Sequence, residues 1–244
     1  MECIKKIVTV IALVLISVPS FAQITSGRIV FERRTNLKKK LGDNPRMKDY
    51  VTDKNKIRIE MFELIFNDTS SAFLPIESDE PAEGGFMRYM TTKNKVYQNL
   101  EKREKFVIMD LWGSEAFMRD TMPLRQWKIT DSKRQIGEYM CRKAIWEKND
   151  TTRIYAWYSV DIVPTIGPEG FDGLPGAILG LATEDGGLIY FAKEVIAMTP
   201  PPAKMIYDVG KKDVYTKSQL KAILTEKMGQ WVKPKDMDEM FSWL

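Results

Sequence analysis

Alternating apolar and polar positions dominate the chain from residue 27 onward. Segment 27–33 places its side chains alternately on two faces, as a half-buried β-strand does. Segment 56–61 repeats the alternation, and Phe62, Leu64 and Phe66 continue it after an apparent change of face. A change of face within one apolar run predicts a bulge or a bend.

Short turns of suitable chemistry separate many more segments of this kind. Asn94 and the pair Gly186 and Gly187 suit hairpin turns, because these residues tolerate positive φ. About eight to ten consecutive strands with short connections predict a mainly β (α+β) protein with a meander-like antiparallel sheet. The further strand candidates are 86–90, 95–100, 105–111, 127–130, 136–147, 152–160, 177–183 and 188–198.

Helical periodicity is confined to two regions. Ser114 is a candidate cap for a short helix over 115–119. Near the C-terminus, Thr216 or Ser218 can open a helix, and Pro234 separates it from a second one. Each C-terminal helix has an apolar stripe that either packs on the sheet or docks a partner. The stripes are Leu220, Ile223, Leu224 and Met228, and Met237, Met240, Phe241 and Leu244.

Two irregular segments and one basic run interrupt the pattern. Segment 78–85 is an acidic loop rich in proline and glycine, and Lys38–Lys40 is predicted to be a solvated turn. Residues 199–215 contain three prolines at 200–202, which cannot join the centre of a sheet, and are predicted to connect the sheet to the helices at 216–244.

The first 22 residues have the organisation of a secretory signal peptide. Lys5 and Lys6 precede an uncharged stretch over 7–18, and 20–22 supplies small residues for cleavage before Gln23. The stretch is too short for a transmembrane anchor, and no second apolar run of spanning length follows. The sequence therefore predicts an exported protein, periplasmic or secreted and not integral to the membrane, with one domain over residues 23–244.

The amino-acid composition excludes several common kinds of active site and metal site. The 244 residues include no histidine, so the catalytic triads and zinc sites that need imidazole are excluded. Cleavage after residue 22 would remove Cys3 and leave Cys141 alone, without an internal disulfide. The small positive charge, 37 basic against 33 acidic residues, does not indicate nucleic-acid binding. No motif predicts a cofactor or a metal.

Residues 136–178 concentrate glycine, proline and aromatic side chains. Segment 137–144 (GEYMCRKA) is followed by Ala156-Trp157-Tyr158, by Gly167-Pro168 and by 173–178 (GLPGAI). In this order and approximate spacing the segments resemble the GLPGLI family, secreted or periplasmic proteins found mainly in the Bacteroidetes. Ala177 stands where the family name has leucine. The resemblance covers about residues 127–198 and implies an extracytoplasmic protein near outer-membrane transport systems, but no activity.

The glycines and the proline of this loop allow two interpretations. They either make a tight corner that leads into a core strand, or form a docking loop whose backbone contacts a ligand or partner. The candidate loop residues are Gly167, Pro168, Gly173, Leu174, Pro175, Gly176 and Ile178.

The fold that these elements predict is one curved antiparallel sheet with C-terminal helices across its open side. It resembles the half-barrel of periplasmic lipoprotein carriers and would enclose an apolar cavity. Cys141, Trp146, Trp157 and Tyr158 are the candidate cavity residues, although the favoured interpretation of Cys141 is a small buried hydrophobe.

Two functions remain open. The first is a non-catalytic binding or accessory protein that recognises an apolar small molecule or an outer-membrane protein. The second is a hydrolase that uses Cys141 or a pair of carboxylates. The carboxylates near the turns are Asp161, Glu169, Asp172, Glu184 and Asp185.

Overall fold

The computed structural model describes residues 23–41, 50–77, 90–149, 152–230 and 232–242. The strands are β1 (Gly27–Asn36), β2 (Ile57–Phe66), β3 (Ser70–Pro75), β4 (Lys95–Asn99), β5 (Glu104–Leu111), β6 (Ser114–Thr121), β7 (Trp127–Ile136), β8 (Tyr139–Asn149), β9 (Thr152–Ser159), β10 (Ala177–Thr183), β11 (Leu188–Ala197) and β12 (Val214–Tyr215). The helices are α1 (Leu37–Leu41), α2 (Lys217–Met228) and α3 (Pro234–Ser242), with 3₁₀ turns at Pro168–Gly170 and Pro202–Lys204.

All the strands above belong to one curved sheet that is not closed. Its order is β12-β6-β5-β4-β3-β2-β1-β11-β10-β9-β8-β7, and each pair is antiparallel except β12 with β6. Within the described ranges, β12 and β7 lie at opposite edges and do not pair with each other. The mainly β prediction of a single curved antiparallel sheet with C-terminal helices is confirmed.

The sheet has an inner face, which carries most of the main core, and an outer face. In β2 the inner-facing side chains of Phe62, Leu64 and Phe66 are fully buried, and so is the outer-facing Ile65. β1 and β2 pair over ten residues without a shift in register, so the predicted bulge in β2 is wrong. The apparent change of face arises because both faces of the second half of β2 are covered.

Helices α2 and α3 cover part of the inner face. Leu220 and Leu224 of α2 and Met237 and Phe241 of α3 are buried in the main core. Thr216 begins α2 with a capping box, in which its side chain accepts a hydrogen bond from the Gln219 amide and the Gln219 side chain accepts one from the Thr216 amide. The C-terminal helices are therefore confirmed, with Met228 and Met240 partly buried against the same core, whereas Leu244 lies outside the described residues.

The proline-rich connector crosses the outer face of β2 to β6. The ring of Tyr207 stacks on that of Phe106 at 3.8 Å between centroids, and Val209 joins the same small cluster. Nearer the start of the connector, Lys204 forms an ion pair with Glu63 of β2 at 2.5 Å. The described connector residues thus shield one half of the outer face.

Some local predictions differ from the structure. Ser114–Arg119 belongs to strand β6 and not to a helix, because Phe117 and Met118 are buried on opposite faces of the sheet. Lys38–Lys40 is exposed as predicted but lies in α1. The predicted signal peptide, the acidic loop 78–85 and most of the strand candidate 86–90 lie outside the described residues.

Across the described ranges, the helices are all too short or too polar to span a membrane.

Replacing Thr216 by alanine is expected to lower the free energy of unfolding by about 1 kcal/mol, because the α2 amides lose their side-chain acceptor. Ser218→Ala is the matched control, since Ser218 is exposed and lies inside the helix. Urea denaturation of both variants measures the difference. Equal stability of the two variants would contradict the capping role.

Candidate functional site

The segment between β9 and β10, residues 160–176, runs through the inside of the protein and is called the interior loop here. Its side chains of Ile166, Phe171 and Leu174 belong to the main hydrophobic core. Backbone bonds tie it to the following strand, because the amides of Ala177 and Ile178 donate to the carbonyls of Ile162 and Ile166 at 3.0 and 2.8 Å. The loop therefore occupies space that an open half-barrel would leave empty.

Two glycines of the interior loop occupy positions where a side chain would collide with the sheet or its neighbouring backbone. Gly170 has φ +73°, and a Cβ there would lie 2.9 Å from the Val96 side chain of β4. Gln98 donates to the Gly170 carbonyl at 3.1 Å, so the loop backbone rests directly on the sheet. Gly176 has φ +133°, and a Cβ there would lie 2.0 Å from the Ser159 carbonyl oxygen. Neither position has room for a side chain.

Most of the predicted loop residues are inside the protein. Gly173 and Pro175 are the exposed ones. The buried ones are Gly167, Pro168, Leu174, Gly176 and Ile178.

Glu169 ties the interior loop to strands β1 and β11. It is buried and has positive φ, 55°. Tyr190 donates to its carboxylate at 2.5 Å, and Arg33 lies 3.5 Å from the same oxygen. Arg33 also pairs with Glu60 of β2 at 2.6 Å. One buried guanidinium thus joins two strands to the loop.

The guanidinium of Arg33 also contacts a backbone carbonyl and an aromatic ring. Arg33 donates to the Thr92 carbonyl at 2.8 Å and lies 4.5 Å above the ring of Phe62. Thr91 donates to Glu60 at 2.9 Å. Burial opposes ionisation of Glu60, but Arg33 holds its pKa below the ordinary value. Burial raises the pKa of Glu169 despite Arg33 and Tyr190.

Asp172 ties the other end of the loop to the sheet. Arg125 and Arg103 contact its two carboxylate oxygens at 2.7 and 3.1 Å. The indole nitrogen of Trp127 donates to the Asp172 carbonyl at 2.9 Å. Arg125 also lies 4.3 Å from the ring centre of Phe171. Burial raises the pKa of Asp172, and both arginines oppose that shift. We call Glu169 with Arg33, and Asp172 with Arg125, the loop clamp.

The four candidate cavity residues do not face one space. Trp146 packs with Phe171 at 5.9 Å on the inner face, and Tyr158 is buried there too. Strand alternation places Cys141 and Trp157 on the outer face, where Trp157 lies 6.2 Å from Phe191. These side chains therefore do not line a common cavity.

The outer face of β7 to β11 carries a cluster of rings and cations. The guanidinium of Arg134 lies 4.8 Å from the Phe191 ring centre and 5.6 Å from that of Trp157. The ammonium of Lys143 lies 3.9 Å from the Tyr155 ring centre. We call these five residues the outer platform. The described part of the connector reaches β2 to β6 and leaves the platform uncovered.

A pocket of about 250 Å³ adjoins the outer platform. The β7–β8 turn forms one wall and β11 the other, including Ile136, Tyr139 and Lys193. A Cβ added at Gly180 would touch Ile136, Phe191 and Trp157 at 3.1 to 3.2 Å, so the pocket wall and the platform pack on one another.

Cys141 is fully buried, and burial raises the pKa of its thiol to about 12. A thiol nucleophile reacts as the thiolate, which this environment disfavours. The arrangement fits the interpretation of Cys141 as a small buried hydrophobe.

The candidate carboxylates are separately engaged and do not form a pair. Asp161 accepts a hydrogen bond from Ser159 at 3.0 Å, Glu184 binds Arg153 and Tyr155, and Asp185 accepts from the Gly187 amide. Glu169 and Asp172 form the loop clamp with different arginines.

Arg33 and Arg125 of the loop clamp, and Glu60, which pairs with Arg33, were not among the residues predicted from sequence, although a signal for Arg33 and Glu60 exists. Arg33 follows Ile29 and Phe31 at alternate positions, and Glu60 precedes Phe62 in the same way. A charged residue on the apolar face of a strand indicates a buried pair. Nothing comparable indicates Arg125, which lies outside a strand.

These features define a mainly β protein with one curved open sheet, an interior loop clamped by buried ion pairs and two C-terminal helices. The fold is similar to part of PNGF-II, with a TM-score of 0.55 and 14% identity over 82% of this chain in its P21 structure. The C2 structure of PNGF-II gives a TM-score of 0.49 at 15% identity over 78% of this chain. The chain spans about a third of PNGF-II, 33% and 30% in the two structures.

An uncharacterized conserved protein from Thermus thermophilus has a TM-score of 0.41 at 9% identity, with 83% of this chain and 96% of that one covered. No family model matches the sequence. No curated protein matches it either.

Replacing Arg33 by methionine is expected to lower the free energy of unfolding by about 3–5 kcal/mol, because Glu169 would remain buried without its cation and Glu60 would keep only Arg58. Arg34→Met is the matched control: its side chain is 53% exposed, and its pair with Glu32 is worth about 0–1 kcal/mol. Urea denaturation measures both. Similar losses in the two variants would argue against a structural role for the Arg33 pairs.

Proposed function

We propose that this protein is an exported, non-catalytic binding protein that serves as an accessory factor at the outer membrane. It binds an acidic surface of an outer-membrane protein through the outer platform. The observation that carries this proposal is the pair of cations, Arg134 and Lys143, held over aromatic rings on a sheet face that the described part of the connector leaves uncovered.

The charges of the outer platform favour an acidic partner. Among the described residues, neither Arg134 nor Lys143 has a carboxylate within ion-pair distance. Glu184, whose carboxylate interacts electrostatically with Lys143, pairs with Arg153 and accepts a hydrogen bond from Tyr155. The rings fix the direction of the two cations without neutralising them, so their hydrogen-bond donors remain available. Complementary charge also speeds association and selects against basic partners.

Because the inner face of the sheet is filled, a protein partner is favoured over an apolar small molecule as the ligand. Phe171 and Leu174 of the interior loop fill the inner face of the sheet, where the half-barrel analogy would place such a ligand. The pocket of about 250 Å³ beside the outer platform instead offers a recess for one side chain of a docked protein.

Export and membrane proximity rest on the sequence. Residues 1–22 have the charged, apolar and small-residue regions of a signal peptide. The segments at 137–144, 156–158 and 173–178 resemble the GLPGLI family, which implies an extracytoplasmic protein near outer-membrane transport systems.

The test compares protein partners captured by chemical crosslinking in the native host. Wild type, the double variant R134A/K143A and the control Lys102→Ala would be expressed at equal levels and analysed by quantitative mass spectrometry. Lys102 is exposed in the turn between β4 and β5, outside the outer platform and its pocket, so its loss leaves both platform cations in place. We expect one outer-membrane protein whose capture falls at least tenfold in the double variant and is unchanged in the control.

The captured protein would then be purified and titrated with the three chains. Binding should weaken as salt increases, because the proposed contact is between opposite charges. Identical capture and affinity for wild type and the double variant would refute the platform as the binding surface.

A further inference from the structure

Strand β7 lies at an open edge of the sheet. It pairs with β8 on one side, and no described strand lies on its other side. Most of its side chains are exposed, so the described residues do not cover this edge. The pairing with β8 shifts in register between Ile129 and Lys133, which leaves 133–136 as the regular stretch before the turn. An open edge presents backbone donors and acceptors with which another strand can pair.

The turn between β7 and β8 determines which backbone groups of β7 point outward. The two-residue turn at 137–138 lies between Ile136 and Tyr139, which are opposite each other in the ladder. Residues that flank such a turn bond to each other, and bonded and non-bonded pairs then alternate along an antiparallel ladder. The residues that direct their amides and carbonyls away from β8 are therefore Gln135 and Lys133.

The outward backbone groups of Lys133 and Gln135 are available for pairing. No backbone group outside the β7–β8 ladder bonds to either residue within the described ranges. The side chain of Gln135 donates to the Gly137 carbonyl at 3.2 Å and leaves its own backbone free. An added strand would continue the sheet by bonding to both residues.

Cations outnumber carboxylates around this stretch of the edge. The cations are Lys133 and Arg134 of β7 and Arg142 and Lys143 of β8, and the carboxylates are Asp131 and Glu138. Lys133 and Arg134 lie on opposite faces of the sheet, so both faces of an added strand would meet a cation. Neither Lys133 nor Arg142 forms an ion pair with a described carboxylate. An acidic strand is thus the complement of this edge.

A second copy of this chain is a poor match for the same edge. Pairing of two β7 edges would bring Lys133 and Arg134 of both copies together, and like charges on neighbouring strands are destabilising. Cations and an irregular register on an edge strand are features by which proteins oppose such self-pairing. The occupant that fits is an acidic strand of another protein.

We propose that the β7 edge at 133–136 binds an extended acidic segment of the partner protein as an added β-strand. The inference rests on the proposed function, because Arg134 belongs both to this edge and to the outer platform. Backbone bonds to Lys133 and Gln135 would hold the segment, and its carboxylates would lie beside Arg134 on one face and Lys133 on the other.

The first experiment measures amide hydrogen exchange of the ¹⁵N-labelled protein by NMR with a short peptide of alternating threonine and glutamate. Threonine favours a strand, and the matched control peptide has lysine in place of glutamate. At millimolar concentration the glutamate peptide is expected to slow exchange of the Lys133 and Gln135 amides at least tenfold. The lysine peptide should have no effect, and the Glu138 amide in the adjoining turn should exchange as before.

Unchanged exchange at both amides with the glutamate peptide would overturn the proposal. Protection that is present without peptide and grows with protein concentration would indicate a second copy on the edge, and would overturn it too.

The second experiment compares the affinities of Gln135→Pro and Gln135→Ala for the glutamate peptide. Both variants lose the side chain, but only proline removes the outward amide, and it leaves the bonds to β8 in place. We expect Gln135→Pro to bind at least tenfold more weakly than Gln135→Ala. Equal affinities would contradict strand addition, and the exchange measurement on wild type decides the matter if Gln135→Pro does not fold.

The outer-membrane protein captured by crosslinking separates this proposal from the proposed function. If R134A/K143A binds it as wild type does, the proposed function fails. If R134A/K143A loses it while Gln135→Pro and Gln135→Ala bind it equally, the platform stands and strand addition fails.

Discussion

The burial of two carboxylates from one loop is the constraint on which the remaining structure depends. Glu169 and Asp172 are three residues apart; Glu169 meets Arg33 of β1, and Asp172 meets Arg125 of the connection between β6 and β7. A carboxylate in a protein interior is tolerated only with a cation and hydrogen bonds that replace water. The second half of the interior loop is therefore held by charge at two points, and the neighbouring Phe171 and Leu174 belong to the core.

The filled interior changes which face of the sheet is able to bind a ligand or partner. The half-barrel predicted from sequence suggested an apolar cavity, but the interior loop, α2 and α3 occupy the inner face. Cys141 and Trp157 consequently belong to the outer side, away from Trp146 and Tyr158. The outer face of β7 to β11, which the described part of the connector does not cover, carries Arg134 and Lys143 over aromatic rings.

Sequence patterns predicted the sheet and the C-terminal helices because period-two alternation and capping residues act locally. They failed for Ser114–Thr121, where a plausible helix cap is overridden by pairing with β5. The glycines of the interior loop were recognised from sequence, but their position inside the protein was not. Gly170 is required by its close approach to Val96, which is distant in the sequence. The loop clamp joins residues up to 136 positions apart, as Arg33 and Glu169 do, and no local pattern encodes such a pair.

Hydrogen exchange tests the central claim most directly, namely that the interior loop is a clamped part of the core. The account predicts that the amides of Phe171, Ala177 and Ile178 exchange as slowly as those in the centre of β9, and far more slowly than that of Glu138 in the exposed β7–β8 turn. Exchange of the loop amides as fast as that of Glu138, while the sheet stays protected, would contradict it.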